Sequence, residues 1–401
     1  MVAATGAGAC SLPCVLDFLC VSALPTDEPF LQQALDLAAE GVGLASPNPH
    51  VGAILVDQHG AIVGRGFHTY AGVKHAEVLA IEQAGSAARG ATLYVNLEPC
   101  SHQGRTGPCA DALIAAGVRR VVASMSDPNP KVSGLGFAKL RAAGVSVEVG
   151  LLETPARRLN EAFARHIRRG APLVTLKAAM SLDGQIAASH ARSSPASTGS
   201  RAAEDWITGS AALTHVHTLR HQQDAILTGI GTVLADNPLL TDRSGLLRRR
   251  PLLRVVLDSD LRLPLDSRLV QTSQENRDLL IFCSAADPTR RKEFERRGVR
   301  VEDIRPNDGR SGLDVSAVFR RLGELEITSV ICEGGSRINS ELLAGDLADK
   351  VFLYYAPKFL RSAGSVPFAD VASTIKLSAA RLHDFGGDFA VEGYLRDPYA
   401  E

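Results

Sequence analysis

The sequence predicts an α/β protein built from two domains. A chain of 401 residues exceeds the usual size of one domain. In each half, short apolar runs typical of strands alternate with helical patterns, which favours a layered sheet. A charged stretch without glycine, residues 153–169, separates the halves and has a helical pattern. We therefore predict a poorly ordered extension (1–26), a first domain (27–152), a helical connector (153–170) and a second domain (171–401).

The first domain is predicted to begin with a helix that Asp27 caps and that has Pro29 in its first turn. The rigid loop Ser46-Pro47-Asn48-Pro49-His50 follows, and then a hairpin. The hairpin strands and the later elements are predicted, in order, as strands Val51–Val56 and Ala61–Gly66, a helix His75–Ala84, a strand Ala91–Leu97, a helix Cys109–Gly117, a strand Arg119–Met125, a helix Phe137–Ala143 and a strand Val145–Val149.

The second domain shows the same alternation of strands and helices. Its predicted strands are Leu173–Met180, Ala225–Thr228, Leu252–Asp258, Leu279–Cys283, Val299–Ile304, Ser329–Cys332 and Val351–Tyr355. Its predicted helices are Ala211–His221, Thr289–Arg297, Ser316–Leu322 and Ser336–Leu343.

Composition limits the classes of partner. The chain has 43 basic and 44 acidic residues, which favours neither nucleic acid nor a charged membrane surface. No apolar run reaches the 18 or so residues that a membrane span needs. Seven cysteines without regular spacing argue against a disulfide scaffold and indicate a reducing compartment. The extension, residues 1–26, lacks the positive start of a signal peptide, so we expect a cytoplasmic protein.

Three candidate metal ligands and one carboxylate stand in a characteristic order. His75 and Glu77 are two residues apart, and Pro99-Cys100 is followed, eight residues later, by Cys109. One imidazole and two thiolates form the ligand set of a catalytic zinc site, which keeps one position open for water. The pattern resembles that of the zinc nucleobase deaminases, in which the Glu moves protons and is no ligand. We predict Zn²⁺ at His75, Cys100 and Cys109, with Glu77 as the catalytic acid–base group.

Two structural alternatives are open for these cysteines. They could be buried free thiols, or part of a closed zinc site with His102 as the nearby fourth ligand. We expect His102 to lie in the loop over the substrate. We expect His50, His59 and His68 to be surface or substrate-loop residues.

The second domain contains a weaker nucleotide-binding signal. It lacks the GxGxxG fingerprint, because Gly229-Ile230-Gly231 is followed by Thr232, Val233 and Leu234. Glu333-Gly334-Gly335-Ser336 follows a predicted strand and precedes a predicted helix. Glycines allow close backbone approach, and a helix N-terminus attracts phosphate. A plain strand-to-helix connection would have the same pattern.

Ordered motifs in both halves resemble the bifunctional deaminase–reductases of riboflavin biosynthesis. The resemblance covers roughly residues 28–395. It rests on PNPHVGAILV, HAEVLAI, LEPCSHQGRTGPC and DPNPKVSGLG in the first half, and on LKAAMSLDGQIA, WITG, DAILTGIGTVLADNPLLTDR, RVVLDS, EGGSRINSELL and YYAPKFL in the second. It implies a cytidine-deaminase-like α/β/α domain followed by a dihydrofolate-reductase-like α/β domain.

The resemblance also implies two reactions. A zinc-dependent deamination would act on 2,5-diamino-6-ribosylamino-4(3H)-pyrimidinone 5′-phosphate. NADPH would then reduce the ribosyl group to ribityl. We expect this phosphorylated pyrimidine as the partner, together with a homo-oligomer of unspecified size. Cytidine, guanine or tRNA-adenosine deamination remains an alternative, as does a deaminase whose second domain only binds a nucleotide.

Further site residues are implied by matching positions of the family motifs. Asn48 would help to hold the pyrimidine. The implied cofactor contacts are Ala179, Trp206, Thr232, Asp236, Ser259, Gly335, Ser336, Arg337, Ile338, Asn339, Ser340 and Glu341. The implied substrate contacts in the second domain are Arg220, Leu240, Arg243 and Glu333. The two arginines suit a phosphate through charge-assisted hydrogen bonds. Asp183 is a candidate for the proton donor of the reductase or for shaping its loop.

The chain departs from the family pattern at three places. Gly107 replaces the usual second proline before Cys109. Glu204 stands where the family commonly has a serine, and a carboxylate there would repel a substrate phosphate. The segment 184–205 is about eleven residues longer than usual, and Ser197 or Ser200 could take over the role of the missing serine.

Overall fold

The computed structural model describes residues 26–104, 106–187, 207–284, 286–305, 312–360, 365–372 and 374–400. The predicted extension, apart from residue 26, lies outside these ranges. Trp206, Glu204, Ser197 and Ser200 lie outside them as well.

The N-terminal half forms a five-stranded sheet between helices. Its elements are α1 Asp27–Glu40, β1 Gly52–Val56, β2 Ile62–Phe67, α2 Ala76–Ala84, a 3₁₀ turn Gly85–Ala88, β3 Thr92–Val95, α3 Cys109–Ala116, β4 Arg120–Ala123, α4 Leu135–Ala142 and β5 Ser146–Val149. The strand order is β2-β1-β3-β4-β5. β1 is antiparallel to both neighbours, whereas β3, β4 and β5 are parallel. The predicted hairpin and the helices around the candidate ligands are therefore present.

Two apolar layers hold this sheet. On one face, α2, α3 and α4 contribute residues such as Ala80, Leu113 and Leu140 to the core. On the other face, α1 packs Leu31 and Ala34 against the sheet. Helices on both faces of this mixed sheet give the α/β/α architecture.

The prediction that Asp27 caps the first helix is wrong. Thr26 occupies the N-cap position, and Asp27 is the first helical residue. Its carboxylate accepts hydrogen bonds from Arg120 and from the Tyr94 hydroxyl, which lie on β4 and β3. The hydrogen bond from Arg120 lowers the pKa of Asp27. A long-range ion pair has thus replaced the local cap.

The C-terminal half forms a larger sheet. Its elements are β6 Leu173–Ser181, β7 Gln185–Ala187, α7 Ser210–His221, β8 Ala225–Gly229, α8 Ile230–Asp236, β9 Leu253–Leu257, α9 Arg268–Asn276, β10 Leu279–Cys283, α10 Pro288–Arg296, β11 Arg300–Asp303, α11 Val315–Glu324, β12 Ser329–Cys332, α12 Ser336–Ala344, β13 Lys350–Ala356, β14 Val366–Pro367, β15 Ser378–Asp384 and β16 Phe389–Tyr394. The nine-stranded order is β11-β10-β9-β8-β12-β6-β13-β16-β15, and β14 pairs with β7.

The first seven strands of this order, from β11 to β13, are parallel to one another. The last two strands, β16 and β15, are added to β13 in antiparallel orientation. The carboxyl ends of the parallel strands therefore share one edge, where sheets of this kind bind ligands. Two cores cover the sheet, with Phe319 and Leu342 in one and Leu269 and Phe294 in the other.

The second half contains elements that the sequence analysis did not predict. They are β7, α8, α9, β14, β15 and β16. The seven-residue α8 is too short to show a helical period. Strand β15 is exposed along most of its length and so lacks the alternation of a half-buried strand.

Two helices join the halves. They are α5, Glu153–Leu159, and α6, Glu161–Arg169, with a break at the buried Asn160. The chain end returns to the first half, because the Tyr399 hydroxyl donates to the Arg157 carbonyl and lies 4.0 Å from the Met125 sulfur. Searched over the described ranges, the helices include none with the length and apolarity of a membrane span.

Candidate active sites

The three predicted zinc ligands come together. His75 Nδ1 lies 3.2 Å from Cys109 Sγ and 3.5 Å from Cys100 Sγ. All three donor atoms lie within 4.8 Å of one another. Tetrahedral zinc, with bonds of about 2.3 Å to sulfur and 2.0 Å to nitrogen, places such ligands roughly 3.5–3.8 Å apart. The donor set and its spacing therefore fit Zn²⁺.

Local structure explains this convergence. His75 is the N-cap of α2, and Cys109 is the first residue of α3. The Cys109 amide donates to Cys100 Sγ at 3.3 Å, and hydrogen bonds from Cys109 and His75 lower the pKa of Cys100 to about 4. Thiolate is the form that binds metal. His102 is exposed and does not belong to the three-residue group found in the described part of the chain.

Glu98 braces the loop that carries Cys100. Its buried carboxylate accepts hydrogen bonds from the backbone amides of Asp127, Gly134 and Gly136 at 2.8–3.0 Å. A Cβ on Gly136 would lie 2.0 Å from the Pro99 carbonyl, so this close approach requires glycine. The segment between β4 and α4 is thereby held against the Pro99-Cys100 turn.

Glu77 lies beside the ligands, in the first turn of α2. It is only 3% exposed, and burial raises the pKa of its carboxyl. A carboxyl group in a dry pocket next to a metal site is suited to receive and return a proton.

His68 fixes the orientation of Asn48. Its Nδ1 lies 3.0 Å from the Lys74 carbonyl, which can only accept, so Nδ1 carries the proton. Its Nε2 must then accept from Asn48 Nδ2, 2.9 Å away. The His68 ring also lies edge-on to His75, with centroids 5.2 Å apart. Of the two predicted positions, surface or substrate loop, the surface position is excluded, because His68 is only 3% exposed; it lies in the loop after β2.

The carboxyl edge of the second sheet forms another candidate site. Gly335 is the N-cap of α12, and no side chain caps that helix end. Its first-turn amides can therefore bind phosphate. We call Gly335 and the first-turn amides of α12 the phosphate cradle. A Cβ on Gly335 would lie 3.7 Å from Oγ1 of Thr232, a residue of α8, so α8 lies next to the phosphate cradle. Asn339 is fully buried, and its Oδ1 has no hydrogen-bond partner among the described residues.

Of the other implied cofactor residues that the structure describes, Ala179 is in the carboxyl half of β6, and Ser259 follows β9. Asp236 ends α8, and the Gly335–Glu341 segment spans the start of α12. Ala179, Ser259 and the start of α12 thus lie at or just beyond the carboxyl ends of parallel strands, and their contact with a cofactor stays a prediction.

A buried charge cluster lies at the same edge. Arg220 on α7 donates to both carboxylate oxygens of Glu333, at 2.7 and 2.9 Å, and to the Thr241 carbonyl at 3.0 Å. Lys177 on β6 lies 3.7 Å from Glu333 Oε2. Burial alone would raise the pKa of Glu333, but Arg220 and Lys177 outweigh it and lower that pKa to about 2. Burial lowers the pKa of Lys177.

Lys177 was not predicted as a site residue, although a lysine inside an otherwise apolar strand is a signal in the sequence. Leu240 is buried and Arg243 is exposed, and both lie on the segment after α8 that passes Arg220. Asp183 shapes its loop, since its carboxylate accepts from the Ser181 hydroxyl and the Leu360 amide.

Comparisons with known proteins agree with both halves of the structure. Residues 24–125 match the cytidine and deoxycytidylate deaminase zinc-binding region, and residues 172–391 match the RibD C-terminal domain. The fold is accordingly a cytidine-deaminase-like domain followed by a dihydrofolate-reductase-like domain, as predicted.

Full-length relatives show the same order of domains. The riboflavin biosynthesis protein RibD of Aquifex aeolicus is 37% identical over 91% of this chain and 97% of its own length. The structure of RibD from Acinetobacter baumannii is 34% identical, with a TM-score of 0.78 over 92% of this chain and 98% of that one. A diaminohydroxyphosphoribosylaminopyrimidine deaminase/5-amino-6-(5-phosphoribosylamino)uracil reductase from Thermotoga maritima is 36% identical, with a TM-score of 0.74 over the same shares.

The two matched domains over nearly the whole chain fit the bifunctional deaminase–reductase and not the alternative of a deaminase with a non-catalytic second domain. The zinc ligands, the phosphate cradle and the two matched regions together account for Zn²⁺ and NADPH as cofactors. The chain belongs to the RibD family, the bifunctional deaminase–reductases of riboflavin biosynthesis.

Proposed function

We propose that the first domain removes the 2-amino group of 2,5-diamino-6-ribosylamino-4(3H)-pyrimidinone 5′-phosphate. The second domain then reduces the ribosyl group of the product to ribityl. One observation supports the proposal: the chain contains two separate sites. The first is a His-Cys-Cys donor set beside the buried Glu77, and the second is a phosphate cradle near Lys177 and Glu333. The Thermotoga maritima relative is named for these two reactions.

In the deaminase, His75, Cys100 and Cys109 would hold Zn²⁺, which would supply a nucleophile at neutral pH by acidifying water. Glu77 passes on the two protons of the attacking water, one to the ring nitrogen and the other to the leaving amine. Asn48, oriented by His68, holds the pyrimidine edge.

In the reductase, the chain binds and orients while NADPH provides the hydride. The C1′–O4′ bond of the ribosyl group breaks, a C1′–H bond forms, and O4′ needs a proton. We assign this proton to Lys177, because its ammonium is buried beside Glu333 and burial makes it a stronger acid. Arg243 and Arg220 give the substrate phosphate a positive environment.

We also propose the domain limits 27–152, 153–170 and 171–401; the matched regions, 24–125 and 172–391, lie on either side of the proposed connector. We further propose a cytoplasmic homo-oligomer, and the balanced charge favours a small-molecule partner over nucleic acid.

Loss of a zinc ligand tests both the metal site and the order of the two steps. Cys100→Ser and Cys109→Ser variants are expected to lose most of the approximately one zinc per chain, because thiolate ligands dominate this donor set. NADPH oxidation should then fail when the diamino compound is supplied, yet proceed with the deaminated compound. Metal analysis and absorbance at the NADPH band measure the two results.

Cys283→Ser is the matched control, since Cys283 is buried in the second sheet and is distant in sequence from the metal site. Full zinc occupancy in both ligand variants would overturn the metal assignment. NADPH oxidation from the diamino compound without zinc would overturn the order of the reactions.

Gly335→Val tests the phosphate cradle. The space at Gly335 admits a Cβ, with Thr232 Oγ1 3.7 Å away, so the fold should tolerate a side chain there. The side chain would occupy the approach of phosphate to the first-turn amides of α12, and NADPH affinity is expected to fall at least about tenfold. Zinc content and deamination should be retained. Titration of NADPH fluorescence measures the effect, and unchanged affinity would place the cofactor elsewhere.

A further inference from the structure

The reductase half contacts the loop that carries Asn48. Asp224 Oδ2 accepts a hydrogen bond of 2.7 Å from the Ser46 hydroxyl, two residues before Asn48. Arg250 lies 3.2 Å from Asp224 Oδ1 and donates to Ser46 Oγ at 3.4 Å. Thr328 belongs to the same hydrogen-bond network, because its amide and hydroxyl both donate to Asp224 Oδ2 at 2.8 Å. We call Ser46, Asp224, Arg250 and Thr328 the loop clamp.

The clamp is built into the centre of the second sheet. Asp224 immediately precedes β8, and Thr328 immediately precedes β12, its parallel neighbour. Both residues are at most 6% exposed. The backbone of Asp224 is also fixed, because its amide donates a hydrogen bond to Ser329 Oγ at 3.0 Å. A surface side chain would offer Ser46 a mobile acceptor, whereas this carboxylate is fixed by the sheet.

The other end of the same loop is also held. The His50 amide donates to Asn160 Oδ1 at 2.8 Å, and Asn160 Nδ2 donates back to the His50 carbonyl at 3.0 Å. Asn160 belongs to the connector. Asn48 therefore lies between one anchor in the connector and one in the reductase sheet.

A neighbouring contact joins the same two surfaces. The Arg249 amide donates to the Gly43 carbonyl at 2.8 Å, and the Arg249 guanidinium lies 4.1 Å from the centre of the Tyr70 ring. Arg249 precedes Arg250, so adjacent residues of one reductase segment contact the deaminase half on both sides of the loop. The contact is continuous and is not confined to one ion pair.

We propose that the loop clamp is a positioning device through which the reductase half sets substrate affinity in the deaminase. Asp224 and Arg250 act through Ser46 on the placement of Asn48 and touch no reacting atom. The inference rests on the proposed role of Asn48 in holding the pyrimidine. It makes the deaminase site dependent on residues that lie more than 170 positions later in the chain.

The test compares Ser46→Ala, Asp224→Asn and the double variant in the full-length enzyme. Losing a hydrogen bond to a charged acceptor is expected to raise KM for deamination about tenfold, with kcat changed less. The double variant should be no worse than Asp224→Asn, because both changes remove the same contact. Zinc content, and NADPH oxidation with the deaminated compound, should match the parent enzyme.

Asp349→Asn is the matched control for a general loss of stability. Asp349 is another buried aspartate of the reductase half that accepts from arginines and a backbone amide, but it does not contact the loop. Its deamination KM should stay at the parent value. An equal rise in KM for Asp349→Asn, or additive effects in the double variant, would overturn the clamp.

Asn48→Ala separates the clamp from the role on which it depends. If Asn48→Ala raises KM and Ser46→Ala does not, the clamp is overturned while the pyrimidine contact stands. If Asn48→Ala leaves KM unchanged, the pyrimidine contact is wrong, and the clamp falls with it. Ser46→Ala removes only a hydroxyl, so this comparison survives even if Asp224→Asn folds poorly.

Discussion

Glu77→Gln is expected to lower the rate of deamination at least about 10²-fold and to leave reduction near the parent rate. Glutamine keeps the shape of the buried side chain but cannot take up a proton, and general acid–base catalysis contributes roughly 10²–10⁴-fold. Zinc should stay bound, because His75, Cys100 and Cys109 are unchanged. The reductase half has its own cores, so NADPH oxidation with the deaminated compound should persist.

Both reactions should be measured on one preparation of the variant, together with its zinc content. Glu82→Gln is the matched control, since Glu82 lies on the same helix, is exposed and pairs with Lys74. If Glu77 only supported the helix, both variants would lose a little stability and deaminate within a few fold of the parent. Deamination retained in Glu77→Gln would contradict the acid–base role, and joint loss of both activities would contradict independent domains.

Lys177→Met is expected to lower the rate of reduction about 10²-fold or more while leaving NADPH affinity and deamination unchanged. Methionine fills the space of the lysine stem but cannot donate a proton. Lys177→Arg should not restore the rate, because a guanidinium keeps the positive charge and does not release its proton. Single-turnover NADPH oxidation with the deaminated compound separates this step from binding and release.

The pH profile gives an independent measure of the same role. An acid must be protonated to act, so reduction by the parent enzyme should be full at low pH and decline as pH rises through the pKa of Lys177. Burial lowers that pKa, so the decline should begin below the range of an ordinary lysine. The decline should be absent from the residual activity of Lys177→Met.

Lys350→Met controls for the cost of removing a buried lysine. Lys350 lies on the adjacent strand β13, is 13% exposed against 12% for Lys177, and pairs with Glu161 and Glu392. It should lower thermal stability with little effect on the rate of reduction. Equal rate losses in the two variants would show that Lys177 is needed only to neutralise its surroundings.

The zinc site was predictable because its information is local. His75 and Glu77 share the start of one helix, and Cys100 and Cys109 flank one loop, so spacing alone indicates the chemistry. Lys177, His68 and Asp224 were not singled out as site residues. Lys177 and Asp224 acquire their roles from partners far away in sequence, and His68 acquires its role from Asn48 on a different loop. A polar residue in a strand or turn does not show which partner it will meet.

The same reasoning explains the difference at Asp27. Its position before Pro29 suits a local cap, but Arg120 and Tyr94 offer stronger partners once the sheet has formed. The alternation of strands and helices predicted both sheets. The antiparallel strands β15 and β16 were not predicted, because β15 is exposed along most of its length and β16 is only partly buried, so neither shows a regular apolar period.

The placement of the loop clamp also bears on the fate of the intermediate. Strand β12 has Thr328 at its amino end and Glu333 at its carboxyl end, a separation of about 16 Å along an extended strand. The two catalytic chemistries therefore lie off opposite edges of one sheet. Within a single chain, the deaminated compound therefore has to pass from one edge of that sheet to the other to reach the second site. A compound released at one edge is equally accessible to the second site of any other chain.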